Sequence, residues 1–395
     1  MFNKTNLKLG LVQGFYWMAS CVFVSFLVRL LSGYGYSDYH SGIALTFAAF
    51  ASLVIQPFVG RLADTVKSVR RLLITSVVIA IGAAILLDLF HEYRLLAYLL
   101  ILIIFGSFRS LIYVIDLWSL AIAAHCKDFS YGFTRSFGAV FYAVGAVFYG
   151  VAIDQFGTRI IIPCFCLFSV LTIGVALCVK SSQPRSVTEQ RKDAPPLVGA
   201  LRILFANKAY RTLLISYTLV EMSCIAHQNY LTRKFEALGA GDFHTGLSLL
   251  IMGLLQLIPL LLHVRIIRRA SPPSLMLICL IGLNMRTIIM AFSSTPVGTV
   301  CSFLTEPFAF GLYIGTILYY MGTVLPSNVR YLGMTLYAAV TAGVGGMVGN
   351  YVAGYLSVNY GVLAMMKFIS IPAMVGLVVY VLFFPRDIAG HVLDG

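Results

Sequence analysis

Polar residues interrupt this chain at intervals, and the apolar runs between them are long enough to cross a bilayer. A crossing takes about 20 mostly apolar residues in a helix that rises 1.5 Å per residue. Twelve stretches meet that requirement, at 9–33, 40–62, 71–91, 95–122, 130–153, 158–180, 209–232, 243–264, 272–292, 296–324, 331–358 and 361–385; they are called spans 1 to 12 below. None shows the alternating ten-residue pattern of a membrane β-barrel strand, so the predicted fold is an all-α bundle of twelve transmembrane helices. The gap at 181–208 holds Ser-Ser-Gln-Pro-Arg and Asp-Ala-Pro-Pro, and such polar, proline-punctuated sequence reads as a linker. It divides the chain into a six-helix half at 1–180, a cytoplasmic linker at 181–208 and a six-helix half at 209–395. The end of the linker, 197–206, is apolar enough to lie along the membrane surface.

The two halves repeat each other. Asp38-Tyr-His-Ser-Gly-Ile-Ala-Leu45 recurs as Asp242-Phe-His-Thr-Gly-Leu-Ser-Leu249, 204 positions later, and at that offset Gly145, Gly150 and Gly157 match Gly349, Gly354 and Gly361. Two regions about a hundred residues apart that share one offset point to a duplicated unit. Parallel six-helix repeats are a transporter architecture, in which the solute site is expected at the midplane between the halves and access alternates by rocking.

Composition agrees with the pattern. Of the 395 residues 59% are hydrophobic and 11% charged, against roughly 25% charged in soluble domains. The net charge of +13 is explained by placement: most Lys and Arg lie at the two ends, in the linker, and around 61–71 and 265–269. With both termini cytoplasmic this satisfies the positive-inside rule and calls for no nucleic-acid partner. The chain is therefore expected in the cytoplasmic (inner) membrane, as a multi-pass monomer, with lipid around it. The lysines at 4 and 8 precede an apolar run with no small-residue cleavage site, so a retained first helix is expected instead of a signal peptide. Eight scattered cysteines, with Cys164 and Cys166 as the only close pair, predict neither a metal site nor disulfides.

Gly60-Arg-Leu-Ala-Asp-Thr-Val-Lys-Ser-Val-Arg-Arg71 resembles the loop 2–3 motif of the major facilitator superfamily: a glycine, an aspartate four residues on, and a basic pair. The resemblance assigns a gating role to Gly60, Asp64, Arg70 and Arg71. Within that superfamily the chain looks like the lactose-permease-like proton symporters, which include oligosaccharide, nucleoside and phenylpropionate permeases. Gln56-Pro-Phe-Val-Gly-Arg-Leu-Ala-Asp64, Tyr131-Gly-Phe-Thr-Arg-Ser-Phe-Gly138 and Met285-Arg-Thr-Ile-Ile-Met-Ala-Phe292 carry it. It implies that Arg135 binds sugar, that Tyr142 stacks on the sugar ring, that Asp116 is the carboxylate paired with the arginine, and that Arg286 and Glu306 belong to the proton site. The family's helix 8 glutamate is replaced in Met252-Gly-Leu-Leu-Gln256, its helix 11 lysine is missing, and its helix 7 acidic pair is replaced around Ala226-His-Gln-Asn-Tyr230, so galactoside specificity is not implied.

The residues themselves support a charged interior. Each ionisable side chain at mid-bilayer costs several kcal/mol unless it is paired or hydrated. Arg109 and Asp116 stand seven residues apart in span 4, on one face but about 10 Å apart along the axis, too far to pair with each other. Asp116 and Arg135 fall at comparable depth on neighbouring spans, so an ion pair is expected between them, which leaves Arg109 without a carboxylate from its own half. Arg135 and Tyr142 share a face of span 5. Glu221 and Gln228 share a face of span 7. Burial favours the protonated form of a carboxylate and a nearby arginine opposes it, so Glu306, modulated by Arg286, is the predicted proton carrier, with Glu221 second. His227 reads as a packing or hydrogen-bonding residue, and Lys367 as a snorkelling one.

These readings predict a secondary active symporter that uses no cofactor, is driven by the proton gradient and imports a small polar solute, saccharide- or nucleoside-like. Arg109, Asp116, Arg135, Tyr142 and Gln228 would bind it. Import of a small organic anion held by Arg109 is one alternative; an efflux antiporter is another, although span 5 lacks the proline-glycine signature of drug exporters. A membrane receptor that transports nothing is a third. No nucleophile–base constellation, nucleotide loop or metal cluster suggests an enzyme.

Overall fold

The computed structural model describes residues 4–65, 68–123, 131–179, 196–267 and 269–384. Among these the only regular secondary structure is helical, and eleven segments are long and apolar enough to cross a membrane. They correspond to spans 1–6 and 8–12. Span 7 is present as a 22-residue helix, Lys208–Asn229, followed by Leu231–Ala237, but its composition falls short of the hydropathy of a span. Its polar residues explain the shortfall: Ser216, Glu221, Ser223 and His227 are all buried. A helix whose polar side chains face protein needs less apolar surface than one ringed by lipid.

The chain forms two compact units, one of 1–187 with 239–250 and the other of 188–238 with 251–395. In the first, the span 1 helix, Lys4–Ser25, packs on span 5, Tyr131–Phe156, and on span 6, Ile161–Leu177. Rings fill the joints: Tyr16 stacks on Phe108 at 4.8 Å and Phe23 meets Phe165 edge to face at 4.7 Å. In the second unit Lys208–Asn229 packs in the equivalent way on span 11, Gly345–Tyr360, and on span 12, Ile371–Leu382. Tyr210, Leu213, Tyr217, Leu280, Tyr320 and Tyr380 form its buried centre. The linker's apolar end folds as a short helix, Leu197–Ala206, with Val198 exposed and Leu204 buried in that centre.

Local chemistry sets the ends of these helices. Ser68 and Asn207 accept the backbone N–H of Arg71 and Tyr210 as N-caps, and prolines occupy the first turns of Pro272–Phe292 and Pro296–Cys301. The turns also carry the duplication. Of the described residues, Gly35, Gly157, Gly239 and Gly361 have positive φ, and they form two pairs at the offset of 204. Span 1 breaks between Ser25 and Leu27 and span 7 between Asn229 and Leu231, again at that offset. A backbone turn that only glycine adopts without strain has therefore been kept in both copies.

Three spans leave the α-helical path. In span 11 a π-helical segment, Ala339–Val344, separates Ser327–Ala338 from Gly345–Tyr360. Span 4 runs Arg94–Ile104, then a π-helical segment Phe105–Arg109, then Leu111–Ala123. Span 10 is interrupted by the 3₁₀ segment Ser302–Phe308, which contains Glu306. Such departures from the α-helical pattern often mark functional positions.

Candidate solute and coupling sites

In the first unit the expected pair between Asp116 and Arg135 does not form. Asp116 instead accepts a hydrogen bond from the Gln13 amide at 3.0 Å, and the Arg135 guanidinium lies over the Trp17 ring, 4.7 Å from its centroid. Comparable depth fixes how far along a helix a residue sits but not its direction around the axis, and the side chains of span 1 intervene. Gly138 makes room for this stack, since a Cβ there would come within 2.5 Å of the Trp17 ring. Trp17 also meets Tyr142 edge to face at 5.9 Å, and the Tyr142 hydroxyl shares a 2.8 Å hydrogen bond with Ser25. Arg109, at the end of the π segment, lines a small cavity with Ser20, Phe23, Phe105 and Phe108. Among the described residues its guanidinium has neither a hydrogen bond nor a carboxylate partner.

Arg135, Tyr142 and Trp17 thus form one cluster, to which Gln13 and Asp116 add a second polar contact from the same span 1 helix. Gln13 and Trp17 were not singled out in the sequence. The available signal was weak: one amide in an apolar run, and one of only two tryptophans.

In the second unit the Arg286 guanidinium pairs with Glu306 at 2.9 Å, with the two side chains 3% and 0% exposed. The Gln256 amide donates to the other carboxylate oxygen at 2.8 Å. Gln256 lies in the segment where the related permeases carry a glutamate, and here it supplies a neutral donor in that place. Phe303 and Phe310 flank the guanidinium, with ring centroids 5.9 and 5.4 Å away. Glu221 is buried within electrostatic reach of Arg286, and among the described residues its carboxylate accepts no hydrogen bond. Tyr217 and Tyr313 stack at 5.0 Å, and the Tyr313 hydroxyl donates to that of Tyr337 at 3.1 Å.

Gln228 is half-buried near the end of Lys208–Asn229, and among the described residues its side chain makes no hydrogen bond. Its neighbour Asn229 donates to Asn350 of span 11 at 2.8 Å. His227 is held at both ends, donating from Nδ1 to the Ser223 carbonyl at 2.8 Å and meeting the Ser370 hydroxyl through Nε2 at 3.2 Å. Lys367 lies over the Phe292 ring. Lys234, which the sequence places at a loop edge, is fully buried and donates to the Met290 carbonyl.

The span 2 helix, Asp38–Thr65, runs through Gly60 and Asp64, but their side chains lie outside the described residues. Arg70 donates to the carbonyls of Leu177 and Val179 at 3.4 and 3.2 Å. Lys8 reaches the Cys178 carbonyl at 3.0 Å. Two cations thus sit on the unsatisfied carbonyls at the end of span 6, where the helix dipole favours positive charge. Arg71 contributes its backbone N–H to the Ser68 cap.

The profile of the MFS_1 like family matches residues 7–368. The chain belongs to this family of the major facilitator superfamily. It is a membrane transporter and not an enzyme. It is 25% identical over 352 residues to the maltose permease of Geobacillus stearothermophilus, covering 88% of this chain and 86% of that protein. An uncharacterized transporter of Bacillus subtilis (strain 168), YwbF, is 24% identical over 386 residues, covering 94% and 92%. Among solved structures, a variant of the nucleoside transporter NupG superposes with a TM-score of 0.82 at 14% identity, over 96% of this chain and 100% of that one. An auto-inhibited peptide transporter of the POT family gives 0.73 at 12%, over 97% of each. These structures share the fold of this transporter.

Proposed function

We propose that this transporter is a proton-coupled importer of a small polar solute, saccharide- or nucleoside-like, working by alternating access. The observation that carries the solute reading is the uncommitted polar chemistry of the first unit. Among the described residues Asp116 is satisfied by a neutral amide, Arg135 by a ring face, and Arg109 by no carboxylate, so donors and acceptors remain for hydroxyl groups. Trp17 and Tyr142 supply ring faces beside them. The resemblance to a maltose permease and to a nucleoside transporter points to the same class.

Coupling is assigned to the second unit. Glu306, paired with Arg286 and hydrogen-bonded by the Gln256 amide, is the proton carrier. It accepts a proton when Arg286 leaves it, and Glu221 is the other carboxylate near enough to receive the freed guanidinium. Removing one partner of a buried pair strands a charge at a cost of about 3–5 kcal/mol, so protonation and the move of Arg286 must be concerted. The driving force is the proton gradient, with no cofactor. The protein works as a monomer in the cytoplasmic membrane, with both termini in the cytoplasm.

The test is uptake into proteoliposomes of labelled maltose, uridine and cinnamate, with and without an inward proton gradient. Gradient-driven accumulation of maltose or uridine supports the reading. Accumulation of cinnamate alone, abolished by Arg109→Gln, replaces it with the organic-anion reading; accumulation driven by an outward proton gradient (acid inside) replaces import with export. Glu306→Gln should abolish accumulation and leave counterflow exchange.

A further inference from the structure

Asp154 lies near the end of the span 5 helix, Tyr131–Phe156, and neither cluster described above uses it. Its carboxylate accepts the backbone N–H of Asp242 at 2.7 Å and that of Phe243 at 2.8 Å. These are orphan donors of the first turn of span 8, Asp242–Ile267, and an anion placed there also meets the positive end of the helix dipole. The Asp242 carboxylate is held from the other side by Arg29 Nε at 2.7 Å, from the short helix Leu27–Gly33. Asp242 is 5% exposed and Arg29 29%, so the pair is partly shielded from water.

The backbones come close enough for these bonds because small residues face each other. A Cβ at Gly150 would lie 2.6 Å from the Asp242 carbonyl oxygen, and one at Gly246 2.4 Å from the carbonyl oxygen of Ala146. Residues 239–250 consequently pack with the first unit, although the helix they open belongs to the second repeat and continues into the second unit. Any movement of the second unit must either carry this turn along and break its bonds, or bend span 8 past Leu250.

The cap is present in one repeat only. Asp38, Gly42 and Arg233 correspond to Asp242, Gly246 and Arg29 at the offset of 204, so the acid, the glycine and the arginine exist in both copies. The position equivalent to Asp154 is Val358. A capping carboxylate was acquired, or kept, in one copy only.

We propose that Asp154 and Arg29 form a latch on the first turn of span 8 that stabilises one access state of the transporter and opens once in each transport cycle. Both are positioning residues: they touch a helix end and not the solute clusters. The inference rests on the transporter class and on neither the solute nor the coupling ion.

The test uses the full chain with its native cysteines replaced by serine, in lipid vesicles, with spin labels at positions 156 and 360. These are exposed, repeat-equivalent residues at the ends of spans 5 and 11. Pulsed electron resonance then reads the interspin distance with no solute required. Asp154→Ala should shift the balance between two distance populations by at least about fivefold, as the loss of about 1 kcal/mol of hydrogen bonding does. Asp154→Asn, which keeps one acceptor, should shift it less, and Arg29→Gln should act in the same direction. Exchanging the charges, with Arg29→Asp and Asp242→Arg together, should recover part of what either change alone loses. Distance distributions unchanged in D154N and R29Q, with or without a fall in Tm, would overturn the latch. Failure of the solute panel above would leave this result standing.

Discussion

The two repeats share a scaffold and differ in what they hold. Counting 204 residues on from the first half, Gln13, Trp17, Arg135 and Tyr142 become Tyr217, Glu221, Ala339 and Gly346. The helix breaks, the positive-φ glycines and the packing of the first span on the last two of its half are common to both. In the first half the position on span 1 is a ring that carries an arginine; in the second it is a carboxylate. Among the described residues Arg109 has no carboxylate partner, whereas Arg286 is closed off by one. Duplication kept the turns, the helix breaks and the packing of the first span, while the side chains at the equivalent positions diverged.

The comparison breaks most sharply at the buried pair. Arg286→Met should leave Glu306 uncompensated and lower stability by about 3–5 kcal/mol, read as a fall in Tm in detergent. Arg286→Met combined with Glu306→Leu should recover most of that loss while transport stays uncoupled. Next comes Trp17→Ala in the open half. Removing the face under Arg135 should cost about 1–2 kcal/mol of solute affinity, a rise in Kd of about five- to thirtyfold, with little change in Tm. Tyr142→Phe removes only the hydrogen bond with Ser25 and should change Tm or Kd by the equivalent of about 0.5–1.5 kcal/mol. Arg70→Gln should have the smallest effect, about 0.3–1 kcal/mol, seen as earlier unfolding of the span 6 end in hydrogen exchange. If R286M and W17A shift stability and affinity equally, the division of labour between the halves is wrong.

Much of this was legible in the sequence. Arg286 and Glu306 are lone charges in apolar runs, and lone charges in lipid must find each other or water, so their pairing followed from two positions. The repeat offset is read from one octapeptide and three glycines, and in the structure the positive-φ glycines and the helix breaks recur at the same offset. What the sequence hid has physical reasons. The Asp116–Arg135 pair was inferred from depth alone, and rotation about each helix axis placed Gln13 and Trp17 between them. The π segment at Phe105–Arg109 leaves no trace in a hydropathy pattern, because one extra residue per turn alters no residue's polarity. Span 7 reads as a crossing although Thr212, Ser216, Glu221, Ser223 and His227 on its buried face are polar, since burial within protein cannot be told from burial in lipid by composition. Asp154 drew no notice because it stands beyond the predicted end of span 5, where a carboxylate looks ordinary.

The Arg286–Glu306 pair has a consequence for how such a protein can change over generations. Each partner, altered alone, leaves a variant with a stranded charge, so the route from this pair to any other arrangement crosses a low-fitness step. The solute cluster of the first half has a lower barrier: among the described residues Trp17, Arg109 and Tyr142 belong to no buried ion pair, and each can be exchanged without stranding an opposite charge. Under the proposed function, new solutes should therefore be acquired by stepwise change in the first repeat, while the Arg286–Glu306 pair proposed for coupling is inherited as a block.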